Sequence, residues 1–453
     1  MSKPHEDVLS VADRVIEIAI KVGEGVAHAE AYVVSARRLS MDVRHGEVEN
    51  LAQSDSLGLG LRITVGDRTV FVHSTDLSGL GVLTLTRQAV EMARSMPAPK
   101  EPTVFAPARI IDGLPHPDPE LPYERLEQKQ ARLMEVERAM TGVAGVTTSV
   151  GASYSEADGE IGMANTRGLR LYTPFARLHV GCDCIAEREG QSSTGGSYVS
   201  VASRSRLPDA ERIGRRAGER AVSLLGARPV PSIKAPVIFT PQTGWALLRR
   251  LIPAVRADFV AQGRSFLGDA LGQPIAAPHV TIRDNARLPG GAASRPFDGE
   301  GVPSRDLALV EGGELRTFLT SIASAKQLGI ESNGNTGREG YNAQPEIGTT
   351  NLYLEPGSDA PEEIIRQTRR GFLVTVVSGW WVGMSPANDT FSSAAMGQWI
   401  EDGEIAHPVR GVTIGGNLRQ MLPAIDRIGN DLEFTAETRT PTYRVSEMAI
   451  SGT

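Results

Sequence analysis

Residues 29–74 read AEAYVVSARRLSMDVRHGEVENLAQSDSLGLGLRITVGDRTVFVHS. Apolar and polar residues alternate in four segments of this stretch: AEAYVV (29–34), LSMDVR (39–44), LGLRITV (59–65) and TVFVHS (69–74). A period of two sends successive side chains to opposite faces of a strand, so the pattern predicts a meander with a buried face. Gly66-Asp67 supplies a hairpin turn between the last two segments. Upstream, Val8, Val11, Val15, Ile18 and Val22 recur every three or four residues, which predicts a helix with one inward face, stopped by Gly23 and Gly25. A second helix is predicted from about Leu80 to Met96. Residues 1–96 thus read as a helix, meander, helix unit of α+β type.

Eight prolines crowd residues 97–122, at 97, 99, 102, 107, 115, 117, 119 and 122. Proline at that density can neither continue a helix nor donate to a sheet, so an extended linker is expected. ERLEQKQARLMEVERAM (124–140) then predicts a charged amphipathic helix, followed by alternating strands to about Ala202 and a helix in DAERIGRRAGERAVSLL (209–225). We read 123–228 as a middle α+β segment packed with the N-terminal domain. RPVPS, ending at Ser232, marks the next boundary. Residues 233–453 hold short β segments, among them APVIFT, HVTIRD, GFLVTVV and GQWIEDGEI, with helices expected near 242–255, 322–329 and 361–370, and so read as a β-rich C-terminal domain. The sequence carries no internal repeat and no low-complexity tract.

The 453 residues exceed what one compact core organises, and the aromatic content (11 Phe, 8 Tyr, 4 Trp) is ordinary for a folded chain. Against 54 Asp and Glu stand 47 Lys and Arg, and a net charge of -7 offers no global attraction to nucleic acid or anionic lipid. No apolar run of about 18 residues is present, and the opening MSKPHEDVLSVAD has acids where an export signal needs bases followed by an apolar stretch. Two cysteines cannot build a disulfide framework. The expected location is the cytoplasm, with no membrane partner.

Catalytic motifs are mostly absent from the sequence. There is no G-x-S-x-G elbow, P-loop, dinucleotide fingerprint, HExxH or HExxxH. His5-Glu6 opens like a zincin motif but has no second histidine within reach. His179, Cys182 and Cys184 form the one local set of soft ligands, yet strand alternation puts the two thiols on one face and the imidazole on the other, so they read as buried sheet residues. Glu47/Glu49 and Asp298/Glu300 are acid pairs that general acid/base work could use; loop solvation and turn capping are the plainer readings. Gly415-Gly416-Asn417 and Gly429-Asn430-Asp431 are expected to form sharp turns with positive φ.

Several longer motifs resemble one family. They are FDGEGVPSRDLALVEGGELRTFL (297–319), ASAKQLG, NGNTGR, TNLYLEPG, DTFSSAAMGQWIEDGEIAHPVRGVTIGGNLRQML (389–422) and IGNDLEF, together with HGEVENLAQSDSLGLGLRITVGDRTVFVHSTD (45–76). In this order they resemble the TldD/PmbA family, the bacterial and archaeal zinc metallopeptidases once labelled modulators of DNA gyrase. The resemblance implies an α+β fold with a β-rich C-terminal domain of TldD/PmbA type. In the family's TldD branch, HExxxH supplies two zinc-binding histidines and a glutamate base, with a downstream cysteine as a further ligand. The matching stretch here is VIFTPQTGWALL (237–248), and aligning Gly244 with the motif's glycine puts Thr240 at the first histidine, Pro241 at the glutamate and Trp245 at the second histidine.

Threonine and tryptophan are not zinc ligands and proline carries no base; no cysteine follows Cys184. An HExxxH spacing sets its ligands about 140° apart on a regular helix and so needs a widened turn. TPQTGWALL is expected instead to form an ordinary helix with Thr240 as N-cap and Pro241 in first position. The GNL of IGGNLRQML resembles the PmbA (TldE) branch, which lacks the zinc site and pairs with a TldD subunit in a heterodimeric protease that trims unfolded peptides, leader segments included. The resemblance therefore implies a chain with no cofactor of its own and no catalytic residue, zinc in an HExxxH-bearing partner, and an unfolded peptide as substrate. The rival readings are a non-proteolytic binding or scaffold protein without a partner, and a zinc-independent hydrolase built on Asp298, Glu300 or Ser392.

Overall fold

The computed structural model describes residues 7–22, 25–99 and 103–452. His5, Glu6 and Gly23 lie outside the described residues. The chain is of mixed α+β class, with a β-rich C-terminal part. Helix α1 (Val8–Val22) buries Val8, Val11 and Val15, with Ala12, Ile16 and Ala19 widening the stripe. The four alternating segments form three strands, β1 (Val26–Arg44), β2 (Glu47–Val65) and β3 (Arg68–Ser74), because AEAYVV and LSMDVR are the two ends of one 19-residue strand. The turn that sequence reading missed is His45-Gly46, where both residues have positive φ and close the β1–β2 hairpin. Helix α2 (Gly79–Ser95) starts where Ser78 Oγ accepts from Gly81 N.

After the proline-rich stretch come α3 (Leu126–Thr141), β4 (Val146–Asn165), β5 (Arg170–Arg188), β6 (Gln191–Val201) and α4 (Ala210–Ser223). All six strands join in one antiparallel sheet of order β3-β2-β1-β4-β5-β6, with β1 and β4 paired from Glu30↔Asn165 to Val43↔Ala152. The sequence gives no repeat signal, yet α1–α2 and α3–α4 each frame a three-strand meander, and the two meanders meet through their first strands. Alternation along β1 sorts the surroundings. Ala29, Ala31 and Val33 pack under α1 and α2, while Leu39, Met41 and Val43 pack under α3 and α4. The opposite face, with Tyr32, Val34 and Ala36, is covered by Ala106 of the proline-rich stretch and by Phe297 and Tyr341 of the C-terminal part.

That C-terminal part opens with β7 (Ile233–Phe239), α5 (Pro241–Leu251) and α6 (Ala257–Ala261). A smaller sheet follows, built from β8 (Ile282–Asn285), β9 (Asp306–Glu311) and β10 (Glu314–Leu315), beside α7 (Ile322–Leu328) and the pair β11 (Thr336–Gly337) and β12 (Glu346–Ile347). Next come β13 (Leu352–Leu354), α8 (Pro361–Arg366), β14 (Arg370–Ser378), β15 (Thr390–Glu401) and β16 (Glu404–Asn417). The chain ends with α9 (Leu418–Met421), β17 (Ile425–Ile428), β18 (Thr438–Arg439) and β19 (Tyr443–Ser451). The larger sheet has the order β16-β15-β14-β7-β19-β17, and β19 also pairs with β16, so five of its strands close into a barrel with β17 paired to β19 beside it. Its interior holds Val237, Phe239, Phe372, Val374, Trp399 and Tyr443.

Two expected turns are not turns. Gly415 and Gly416 lie inside β16 opposite Ser392 and Phe391, and Asn417 caps α9 by accepting from Arg419 N. A side chain at Gly415 would approach Phe391 O to 3.1 Å, so close strand packing rather than left-handed backbone explains that glycine. Gly429 likewise has no positive φ; a Cβ there would meet Asp431 Oδ1 at 2.7 Å, and Asp431 is occupied in accepting from Thr442 N and Oγ1.

Candidate functional site

Strand β7 passes directly into α5 at Thr240-Pro241. Proline fills the first helical position, where its missing N–H costs nothing, and Thr240 O accepts from Thr243 N and Gly244 N at 3.0 and 2.9 Å. Thr240 is therefore the N-cap in backbone terms, but its side chain does not cap. The hydroxyls of Thr240 and Thr243 stand 3.1 Å apart and both reach Val374 O of β14, at 3.3 and 3.0 Å. Trp245 is half-buried, donates from Nε1 to Gln242 O at 2.6 Å, and meets Trp380 edge-on at 5.0 Å between centroids. Trp381 continues this contact on the far side of Trp380. Gly244 is pressed against the barrel: a Cβ would fall 2.3 Å from Thr440 Oγ1 and 2.5 Å from the Tyr443 ring, and Tyr443 OH donates to Gly244 O.

The helix start thus offers a tertiary amide nitrogen without a proton, together with two hydroxyls and an indole that are engaged within the fold. This donor set does not fit a zinc ion. Among the described residues, no group of three or more His, Cys, Asp and Glu side chains converges as a metal site. Cys182 and Cys184 lie side by side under α3 and α4, fully buried, and burial pushes their thiols up to about 12 and about 11, which keeps them protonated. His179 sits on the opposite face, stacked on Tyr198 and within 3.0 Å of Ser200 Oγ. Ser392 is exposed on β15, and Glu47 and Glu49 are exposed at the start of β2, where Glu49 pairs with Arg44.

Asp298 and Glu300 do come together with other charges, in a place that sequence reading did not anticipate. Glu30 of β1 faces Arg62 of β2 in the strand register and accepts from its Nε and Nη2 at 2.8 and 2.6 Å. Arg338, from the C-terminal part, donates to the same carboxylate and to Gly299 O, and lies over the Tyr32 ring. Burial works to raise the Glu30 carboxyl, but Arg62 and Arg338 outweigh it and hold it below the ordinary range. Beside them Asp298 accepts from Glu300 N, Val302 N, Thr336 N and Thr336 Oγ1, which makes it the anchor of its loop. Glu300 accepts from Ile322 N at the start of α7, and burial together with the Asp298 charge pushes it up to about 7. These groups form the seam between the long sheet and the C-terminal part. Both Glu30 and Arg62 fall inside alternating segments, but alternation alone does not set them opposite each other; the His45-Gly46 turn does.

Models of the PmbA/TldA metallopeptidase match the chain in three consecutive pieces: domain 1 over residues 29–93, the central domain over 119–225 and the C-terminal domain over 232–452. The chain belongs to the PmbA/TldD metallopeptidase family. It is 29% identical over 454 residues to the metalloprotease PmbA of Escherichia coli O157:H7, spanning 98% of this chain and 96% of that one. A metalloprotease of Methanothermobacter thermautotrophicus is 28% identical over 426 residues, spanning 92% and 91% of the two chains. Among solved structures, a protein of Thermotoga maritima described as a modulator of a DNA gyrase superposes with a TM-score of 0.86 at 25% identity, covering 97% of this chain and 99% of that one. TldE from Thermococcus kodakarensis gives a TM-score of 0.86 at 21% identity over 97% and 99%, a likeness of fold. Within this PmbA/TldD chain, no helix among the described residues is long and apolar enough to cross a membrane.

Proposed function

We propose that this chain is a metal-free, non-catalytic subunit of PmbA/TldE type, which pairs in the cytoplasm with an HExxxH-bearing homologue and helps it hold and trim unfolded peptides. The observation that carries the reading is the start of α5. Thr240, Pro241 and Trp245 stand where the TldD branch has its ligands and base, and their polar groups are committed to Val374 O and Gln242 O. Zinc and the hydrolytic step belong to the partner.

The sheet supports a holding role. Strand β3 pairs with β2 only from Leu59 onward, so the outer edge of residues 47–56 of β2 has no neighbouring strand among the described residues. An extended peptide added there would be held through its backbone, with little demand on its sequence. Folded substrates have no such backbone to offer.

The test is co-expression with the HExxxH homologue, followed by size-exclusion chromatography, elemental analysis and cleavage of an unfolded leader peptide. A heterodimer with about one zinc per pair, active only when both chains are present, is expected; an obligate interface of this kind buries on the order of 2,000 Å² or more. Separate monomer peaks at micromolar concentration would favour a scaffold without a partner. A purified single chain that binds one zinc and cleaves peptide would overturn the reading.

A further inference from the structure

Helix α4 carries arginine at three successive i,i+4 positions, Arg212, Arg216 and Arg220. Like charges at that spacing repel along one helix face, so a surface helix gains nothing from them. Here they converge on the C-terminal segment 433–439, which brings a fourth guanidinium, Arg439. Among the described residues Glu433 is the carboxylate that pairs with them, accepting from Arg212 and from Arg216 at 3.1 Å. The neighbouring Glu437 is paired with Arg177 at 3.2 Å. Arg220 has one bond, from Nη1 to Gly196 O at 2.6 Å, and Arg439 has one, from Nη2 to Thr435 O at 2.7 Å. Arg439 Nε is buried and has no hydrogen-bond partner among the described residues.

The cluster is graded. The Arg212 side chain is 46% exposed and that of Arg216 34%, whereas the guanidiniums of Arg220 and Arg439 are largely enclosed. Burial and mutual repulsion, from Arg216 on Arg220 and from Arg220 and Arg216 on Arg439, push both of the deeper guanidiniums down to about 10. Among the described residues, four guanidiniums against the one carboxylate paired with them leave about three positive charges uncompensated at the joint between α4 and the C-terminal part. From this arrangement we infer an oxyanion site for a phosphate group, bound by Arg216, Arg220 and Arg439 with Arg212 at its rim. A phosphate near neutral pH brings between one and two negative charges and three strong acceptor oxygens, which matches the charge and the donors that Glu433 leaves over. The group can arrive as free inorganic phosphate or as a phosphoester on a peptide. The inference stands independently of the peptidase-subunit reading.

Isothermal titration of the full chain with inorganic phosphate, at constant ionic strength set with chloride, tests it. Saturable one-site binding is expected. Arg439→Gln and Arg220→Gln should each weaken it about tenfold, the usual consequence of losing one charge-assisted contact. Glu433→Gln should tighten it several-fold, because the competing carboxylate is gone. Arg212→Gln, at the exposed rim, keeps the test open if a deeper variant fails to fold, and should weaken binding a few-fold. Competition by a phosphoserine peptide assigns the site to esters, and its failure assigns it to the free anion. No saturable heat up to about 10 mM phosphate, unchanged binding in Arg439→Gln or Arg212→Gln, or weaker binding in a folded Glu433→Gln would overturn the inference.

Discussion

The start of α5 and the seam around Glu30 divide between them what a catalytic centre would combine. At α5, Thr240, Pro241 and Trp245 carry no charge, and the polar groups of Thr240, Thr243 and Trp245 are each spent on a neighbouring carbonyl. At the seam, three carboxylates and two guanidiniums are packed between the long sheet and the C-terminal part, with Glu30 completely buried. Charge of that density usually marks reactivity. Here each carboxylate is held by backbone amides or arginines in ways that join segments far apart in sequence, as when Arg338 reaches Glu30 across 308 positions. Concentrated charge acts as a clamp at the seam, whereas the polar groups at the start of α5 are spent on holding that helix against β14 and on its own first turn.

The largest effect that separates the two regions should come from Glu30→Gln. It leaves Arg62 and Arg338 buried with no carboxylate between them, and breaking a buried pair in this way costs about 3–5 kcal/mol. Guanidinium denaturation measures it. A loss under about 1 kcal/mol would mean that Asp298 and Glu300, which also act on Arg62, already neutralise the arginines.

Next comes pH. The Glu300 carboxyl is raised from 4.5 to about 7 on folding, so over that interval the folded chain holds a proton that the unfolded chain has released. Stability therefore falls as pH rises from about 4.5 to about 7, and by linkage the fall is on the order of 3 kcal/mol. Asp284, raised by burial to about 6, adds a decline of the same sign, so the comparison must be made by difference. Glu300→Gln should lose its own share and become the more stable protein at pH 8. Parallel pH profiles for the two proteins would deny Glu300 the role.

Gly244→Ala asks the same question of α5. Alanine would favour the helix by up to about 1 kcal/mol, but its Cβ must displace Thr440 Oγ1 and the ring of Tyr443, which is stacked on Phe239 inside the barrel. Overpacking of this kind costs about 1–3 kcal/mol, and thermal melting should register a net loss. A gain would mean that the helix end can shift outward.

How far the sequence carried the fold depended on whether a signal was local. Helix α1 followed from apolar spacing, and α2 to α4 were legible as helices too, since each presents a single face to the sheet. The strand segments of residues 29–74 were legible too, but the length of β1 was not, since SARR (35–38) between its two apolar ends reads as a break although it continues the ladder, from Ser35↔Leu57 to Arg38↔Ser54. The join of β1 to β4 and the closure of β19 on β16 are pairings between distant segments that no periodicity encodes. At the candidate site, Thr240 and Pro241 could be read as a helix start because proline at the first position is a local rule. The diversion of the Thr240 hydroxyl to Val374 depends on β14 lying alongside, 134 residues later, and could not. Arg338 sits in NGNTGR, a loop motif with no periodicity to mark its side chain as buried.

The smallest expected effect discriminates most sharply. Thr240→Ala removes a hydroxyl that shares Val374 O with Thr243, and because Thr243 keeps the shorter bond to that carbonyl the acceptor stays satisfied. The cost should be at the low end for a single hydrogen bond, about 0.5–1 kcal/mol. In the reconstituted pair, peptide cleavage should stay within about threefold of the wild type, whereas loss of a group that moves a proton in the reaction lowers rates by about 10²–10⁴. Circular dichroism separates a folding defect from a chemical one. If the folded Thr240→Ala pair loses cleavage by two orders of magnitude, Thr240 acts on substrate, and α5 belongs to the chemistry rather than to the packing.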